Sequence, residues 1–132
     1  MTGHRKIYPL ATLIAFMLAA PAFAMSHMGM MSPQPTVKHG VFVDKHGMTL
    51  YTFNKDTDGT SHCYGKCAVL WPPLLAPSSA TAMGKFTIVA RKDGTKQWAY
   101  HGKPLYLFQK DTKPGDERGN GFKGLWELAE PG

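Results

Sequence analysis

Apolar and aromatic residues occur in short runs along this 132-residue chain, and no run keeps the period of an amphipathic helix. The runs are rich in β-branched and aromatic residues, and turn-forming residues separate them. We therefore predict strands at residues 41–43, 49–53, 85–90, 97–100, 104–108 and 125–128. Turns are predicted at 44–47 and 92–95, where Asp93-Gly94 indicates a two-residue hairpin turn. The pattern allows at most a helical turn at 68–71 or 79–83.

One motif occurs twice in the chain, and the offset between its two copies is constant. A His-Gly turn precedes Tyr-x-Phe-x-x-Asp, and a tryptophan follows each tyrosine at the same spacing, with no gap in the register. The matched residues are Tyr51, Phe53, Asp56 and Trp71 in the first copy and Tyr106, Phe108, Asp111 and Trp126 in the second. A repeat of this length indicates two copies of one supersecondary unit, each too small to bury its apolar face alone.

The strand pattern and the duplication together predict the fold class. We expect an all-β fold, a compact antiparallel domain built from two duplicated β-meander units around a shared aromatic core. The repeats are assigned to residues 46–77 and 101–132, within a single β domain over residues 37–132.

The motif residues are predicted to be mainly structural. Residues two apart on a strand point to the same face, so the tyrosine and phenylalanine of each copy are expected in the core. Asp56 and Asp111 follow the strands, where aspartate side chains accept backbone N–H bonds in the next turn. The alternative is a catalytic carboxylate pair, but nothing in the sequence indicates the separation of roughly 5–10 Å that glycosidases use.

Residues 1–24 have the pattern of an export signal. Basic residues at 5–6 precede an apolar run at 10–20, and Ala22-Phe23-Ala24 fits a small-x-small cleavage site. The apolar run is shorter than the about 20 residues of a comfortable membrane span. We expect cleavage after Ala24 and a soluble periplasmic or secreted chain with no stable membrane anchor.

The charge pattern argues against nucleic acid as a partner. The formal net charge is +6, and it falls to +4 when Arg5 and Lys6 leave with the signal peptide. The remaining basic residues are scattered, whereas a nucleic-acid site concentrates them on one face.

The two cysteines of the chain, Cys63 and Cys67, lie four positions apart. In an oxidising compartment such a pair is predicted to form a disulfide. The alternative is a thiolate metal site with His62, which needs reduced cysteines.

Residues 25–36 are predicted to be a Met/His-rich flexible tail. If cleavage follows Ala24, a free amine stands two residues before a histidine, an arrangement that can bind Cu(II) in a square plane. Thioether sulfurs nearby suit Cu(I). The residues of this copper hypothesis are Met25, His27, Met28, Met30 and Met31. The alternative is a disordered leader in which the methionines have no role. No other cofactor is predicted.

The chain resembles a bacterial family of secreted repeats, whose members are often described as predicted lipoproteins with a Tyr-x-(Phe/Trp/Tyr)-x-x-Asp motif. The resemblance rests on the duplicated motif, on Cys63-x-x-x-Cys67-Ala68-x-x-Trp71 and on Gly124-Leu125-Trp126, and it covers about residues 38–130. This chain lacks the acylated cysteine of the lipoprotein members. The resemblance implies an exported β-rich domain and brings no activity with it.

We predict a non-enzymatic binding or interaction module of the periplasm or cell exterior, with an unknown envelope or extracellular partner. The loops 57–70 and 112–123 are the expected contact surface, with Tyr64, Trp98 or Phe122 as exposed aromatic anchors. The alternative is a copper-binding envelope protein that uses the tail. An enzyme is not expected, because no Ser/His/Asp set, phosphate loop or HExxH motif is present.

Overall fold

The computed structural model describes Gly3 and residues 31–132, and the structural statements below concern these residues. Eight short strands and one short helix follow in chain order. They are β1 (Thr36–Lys38), β2 (Val41–Val43), β3 (Tyr51–Phe53), α1 (Lys66–Leu70), β4 (Leu75–Ala76), β5 (Phe86–Ala90), β6 (Lys96–Tyr100), β7 (Lys103–Pro104) and β8 (Trp126–Leu128). A 3-10 turn at Phe122–Gly124 precedes the last strand.

All the strand pairs are antiparallel. β1 pairs with β2, and β3 pairs with β8 from the far end of the chain. The larger sheet has the order β4-β6-β5, with β7 also paired to β6. The predicted all-β fold built from two repeated units is therefore confirmed.

Several local predictions were wrong. The strand predicted at 104–108 is a strand only at Lys103–Pro104, and β1 and β4 were not predicted. The β5–β6 hairpin closes with the Arg91 N–H donating to the Thr95 carbonyl at 2.9 Å, so its turn has three residues rather than two. Gly94 has φ +86°, as expected when a left-handed residue ends a three-residue turn. The helix begins two residues earlier than expected, at Lys66, and residues 79–83 contain no helical turn.

The two copies of the repeat interlock through pseudo-symmetric backbone hydrogen bonds. The Tyr51 N–H donates to the Tyr106 carbonyl at 2.9 Å, and the Tyr106 N–H donates to the Tyr51 carbonyl at 3.0 Å. The Leu50 carbonyl accepts the Ala129 N–H, and at the equivalent position of the second copy the Leu105 carbonyl accepts the matching N–H of Leu74, both at 2.9 Å. Each copy therefore supplies strand partners to the other, as a long-range antiparallel pairing requires.

Two hydrophobic clusters form the core, and Trp98 belongs to the first of them. Trp98 is 4% exposed, and its indole N–H donates to the Ser32 carbonyl at 2.8 Å. The prediction of Trp98 as an exposed anchor is therefore wrong, because β6 lies between β4 and β5 and is covered on both faces. Ser32 is also buried, and its N–H donates to the Leu75 carbonyl at 2.8 Å, so the predicted flexible tail does not extend to this residue.

Candidate functional site

The motif tyrosines, Tyr51 and Tyr106, form hydrogen bonds that cross between the two copies. The Tyr51 hydroxyl donates to Asp111 Oδ2, and the Tyr106 hydroxyl donates to Asp56 Oδ2, both at 2.6 Å. Both tyrosines are fully buried. Since each tyrosine bonds the aspartate of the other copy, the motif joins the two repeats.

The second oxygen of each aspartate holds the loop that follows it. Asp56 Oδ1 accepts the His62 N–H at 2.7 Å, and Asp111 Oδ1 accepts the Arg118 N–H at 3.0 Å. The aspartates thus accept backbone N–H bonds, as the sequence suggested, although from residues well beyond the adjacent turn. The crossed tyrosine bonds were not anticipated.

Burial raises the pKa of the motif tyrosines and of Asp56. It raises the pKa of both motif tyrosines well above the ordinary value of a phenol, and the adjacent carboxylates raise it further. Burial also raises the pKa of Asp56, while the hydrogen bonds from Tyr106 and the His62 N–H oppose that rise. The tyrosines are therefore held as neutral donors to the carboxylates.

Four aromatic rings form a continuous stack across the pseudo-two-fold. The order is Phe53, Trp126, Trp71 and Phe108, with centroid separations of 4.3, 3.8 and 4.2 Å along the stack. The two tryptophan planes differ by only 3°. Near a two-fold axis a residue meets its own counterpart, so the pairing of the tryptophans follows from the duplication.

A buried arginine makes the environments of the two tyrosines unequal. Arg91 is 5% exposed and donates to Ser61 Oγ at 3.0 Å, to Gln97 Oε1 at 2.8 Å and to the Cys63 carbonyl at 2.9 Å. Ser61 Oγ in turn lies 2.7 Å from the Tyr106 hydroxyl. No local pattern in the sequence indicates the burial of Arg91.

The predicted disulfide joins Cys63 and Cys67. It links the loop at Cys63 to α1, which contains Cys67. Cys63 is buried in the second hydrophobic cluster, and Cys67 packs against that cluster. A thiolate metal site at this position is therefore excluded in the structure.

An open groove lies where the first motif copy meets the end of the second. Thr52 of β3 is paired directly with Glu127 of β8, and strand alternation turns both away from the buried Tyr51 and Trp126 beside them. His101, in the turn between β6 and β7, and Lys103, the first residue of β7, complete this lining. These four residues line two adjoining cavities of about 390 and 310 Å³, which we call the inter-repeat groove.

Close backbone contact fixes one wall of the inter-repeat groove. The Gly59 N–H donates to the Gly102 carbonyl at 2.7 Å, and the Asp58 carboxylate lies over Gly102. A Cβ on Gly102 would overlap Asp58 Oδ1, and the φ of Gly102 is +77°. Only glycine fits this position without displacing Asp58. His101 before it also has a positive φ of 51°.

The duplication supplies an internal comparison for the inter-repeat groove. Three of the four shared groove residues have apolar counterparts in the other copy: Leu107 matches Thr52, Pro72 matches Glu127 and Met48 matches Lys103, whereas His101 is matched by His46. The backbone geometry is retained, since the Leu107 N–H donates to the Pro72 carbonyl at 2.7 Å. At these three positions the polar side chains are therefore confined to one face, and folding of the repeat does not require them.

The expected aromatic anchors are only partly available. Tyr64 and Phe122 are half-buried. The Tyr64 ring lies 4.3 Å from the Arg91 guanidinium carbon, and Phe122 packs against Trp71. Both rings therefore help to hold their loops onto the core.

Four of the five residues of the copper hypothesis, Met25, His27, Met28 and Met30, lie outside the described residues. Met31 is described, and its carbonyl accepts a hydrogen bond from Lys45 Nζ at 3.0 Å. Within residues 31–132, no group of three or more His, Cys, Asp or Glu residues is arranged to hold a metal ion. Copper binding by the tail stays a prediction.

A duplicated, disulfide-bonded β unit with a crossed Tyr–Asp motif defines the class of this protein as a β-repeat domain. Residues 36–75 and 87–130 each match the family described as a secreted repeat of unknown function. The two matches span more than half of the chain, which therefore belongs to this family of secreted repeats. No curated protein and no solved structure matches the chain. In the described part, no helix has the length and apolar character to cross a bilayer.

Proposed function

We propose that this chain is a secreted, non-enzymatic binding module and that the inter-repeat groove is its ligand site. The observation that carries the proposal is the contrast between the two faces of the duplicated unit. On one face, Thr52, Lys103 and Glu127 line a groove, and on the other their counterparts are Leu107, Met48 and Pro72.

A binding role accounts for this contrast better than a folding role does. Both faces pair the same backbone positions, so the polar side chains are dispensable for the repeat geometry. Glu127 and Lys103 are exposed, and exposed polar side chains gathered at a concave site are typical of recognition. In this proposal the carboxylates of Asp56 and Asp111 have a structural role, because each already accepts hydrogen bonds from a tyrosine hydroxyl and from a backbone N–H.

The test is capture of ligands from a cell-envelope extract by the exported, immobilised chain. The variant Thr52→Leu/Lys103→Met gives the groove the residues of the opposite face. We expect it to lose most of the captured material, as measured by quantitative mass spectrometry for proteins and by sugar and lipid analysis for the rest.

The reciprocal variant Leu107→Thr on the opposite face serves as the matched control, and it should capture as much as the parent chain. Near-ultraviolet circular dichroism verifies that both variants keep the aromatic core. Equal capture by the parent and the groove variant would refute the proposal.

A further inference from the structure

We infer that the inter-repeat groove binds a glycan chain that carries no acidic groups. This inference rests on the proposed function and names the ligand class of the same site. It follows from the shape of the groove, from its hydrogen-bonding groups, from one aromatic residue and from its charge.

The shape suits an extended ligand. The two cavities adjoin, because they share Thr52, His101, Lys103 and Glu127, and together they form a trough open to solvent rather than a closed pocket. Each has the volume of a small-molecule site, at about 390 and 310 Å³. A chain of rings can lie along such a trough with consecutive units in adjoining cavities.

The polar groups of the groove match the hydroxyl groups of a sugar. Lys103 offers N–H donors, Glu127 offers acceptor oxygens, and the Thr52 hydroxyl can do both. A sugar hydroxyl also donates and accepts, so a polyol can satisfy this alternating set. A purely apolar ligand would leave these groups without partners, which is costly when a ligand covers them.

One aromatic residue, Tyr100, lines the smaller cavity. Its ring is held in place by Phe42 and Phe86, at centroid separations of 4.6 and 5.2 Å. A rigid aromatic residue offers apolar contact at a low cost in conformational entropy, which suits the C–H face of a sugar ring. The Phe53 ring lies on the other face of β3 from Thr52, where it stacks on Trp126.

Charge selects among glycans. The groove is lined by the carboxyl groups of Asp56, Asp58, Glu127 and Glu130, against one lysine, Lys103. The chain as a whole has a formal net charge of +6, so this excess of acid is local. Uronic acids, phosphates and sulfates would meet repulsion at the groove. Among glycans, the expected ligand is therefore one without acidic groups.

The experiment uses the full exported chain on an array of neutral and uronic-acid oligosaccharides, followed by calorimetric titration of the best neutral ligand. We expect neutral oligosaccharides of three or more rings to bind and their uronic-acid counterparts to bind at least tenfold more weakly. Thr52→Leu should lower the affinity for the neutral ligand at least tenfold, and Leu107→Thr should leave it unchanged.

A charge variant sharpens the test. Glu127→Lys should reduce the discrimination against tetragalacturonate, because it replaces a repulsive group with an attractive one, while circular dichroism confirms the fold. Preferential binding of uronic acids by the parent chain would overturn the inference.

The failure of the inference is distinguishable from the failure of the proposed function. If the array is negative while capture from the envelope extract still depends on Thr52 and Lys103, the ligand is not a neutral glycan but the groove remains a binding site. If neither readout depends on these residues, both proposals are wrong.

Discussion

The crossed bonds of the motif tyrosines predict a specific pattern of energetic coupling. Tyr51→Phe removes the hydroxyl that donates to Asp111 at 2.6 Å and accepts the Gly119 N–H at 3.2 Å. Tyr51 is fully buried and Asp111 is 8% exposed, so water replaces neither bond readily. A hydrogen bond to a charged group contributes about 1.5–3 kcal/mol, and we expect a loss of about 2–3 kcal/mol in the free energy of unfolding.

Double-mutant cycles separate the crossed pair from the pair within one copy. We expect a coupling energy of about 1.5–2 kcal/mol between Tyr51→Phe and Asp111→Ala, because the two side chains bond directly. The matched cycle with Asp56→Ala should give less than about 0.5 kcal/mol, because Asp56 bonds Tyr106 and His62 instead.

The assay is urea unfolding followed by tryptophan fluorescence, since the stacked pair of Trp71 and Trp126 reports on the packing of both copies. A small domain of this kind has a total stability of about 5–15 kcal/mol, so the single variants stay measurable. Equal coupling of Tyr51 to Asp56 and to Asp111 would refute the reasoning that the motif acts between copies.

Three further predictions concern packing, redox state and pH, and a fourth concerns the tail. Gly119→Ala places a Cβ 2.6 Å from Trp71 and should lower the free energy of unfolding by about 1–3 kcal/mol, as measured by urea unfolding. The control is Gly94→Ala, whose Cβ meets no atom within 4 Å, so that it tests the cost of a positive φ alone. Changing Cys63 and Cys67 to serine should cost about 2 kcal/mol, the loop entropy of a short disulfide, and unchanged stability would contradict this. Above about pH 10, Tyr51 and Tyr106 ionise in the unfolded chain, whereas in the folded chain their raised pKa values keep them protonated. The free energy of unfolding should therefore fall by up to about 1.4 kcal/mol per pH unit for each tyrosine. Urea titrations at several alkaline pH values measure that slope, and a flat profile would argue against it. His27→Ala should abolish tight Cu(II) binding by the exported chain in native mass spectrometry, and an identical titration of both chains would exclude the tail site.

Local patterns located most of the longer strands, because strand alternation depends on neighbouring residues, but they missed the short strands β1 and β4. The spacing of Tyr51 and Phe53 placed them on one face, and the constant offset of the repeated motif identified the two copies before any contact was known. The disulfide followed equally from the spacing of its cysteines. The same local reasoning gave the wrong exposure for Trp98, because the position of a strand within its sheet is decided by its partners.

The candidate site depended on contacts that no local spacing encodes. Thr52 and Glu127 lie far apart along the chain, in different copies of the repeat, and only the pairing of β3 with β8 makes them neighbours. The burial of Arg91 has the same origin, since Ser61 and Cys63 reach it from a loop that is distant in sequence.

Linear features of the chain were enough to identify a duplicated, disulfide-bonded β protein and to predict its export, because the period, the cysteine spacing and the signal pattern need no folded context. The way in which the two copies are joined became visible only in the folded chain. Tyr51 bonds Asp111 and Trp71 stacks on Trp126 because antiparallel pairing about a pseudo-two-fold brings matched residues of different copies together. The same pairing forms the inter-repeat groove on one face of the domain.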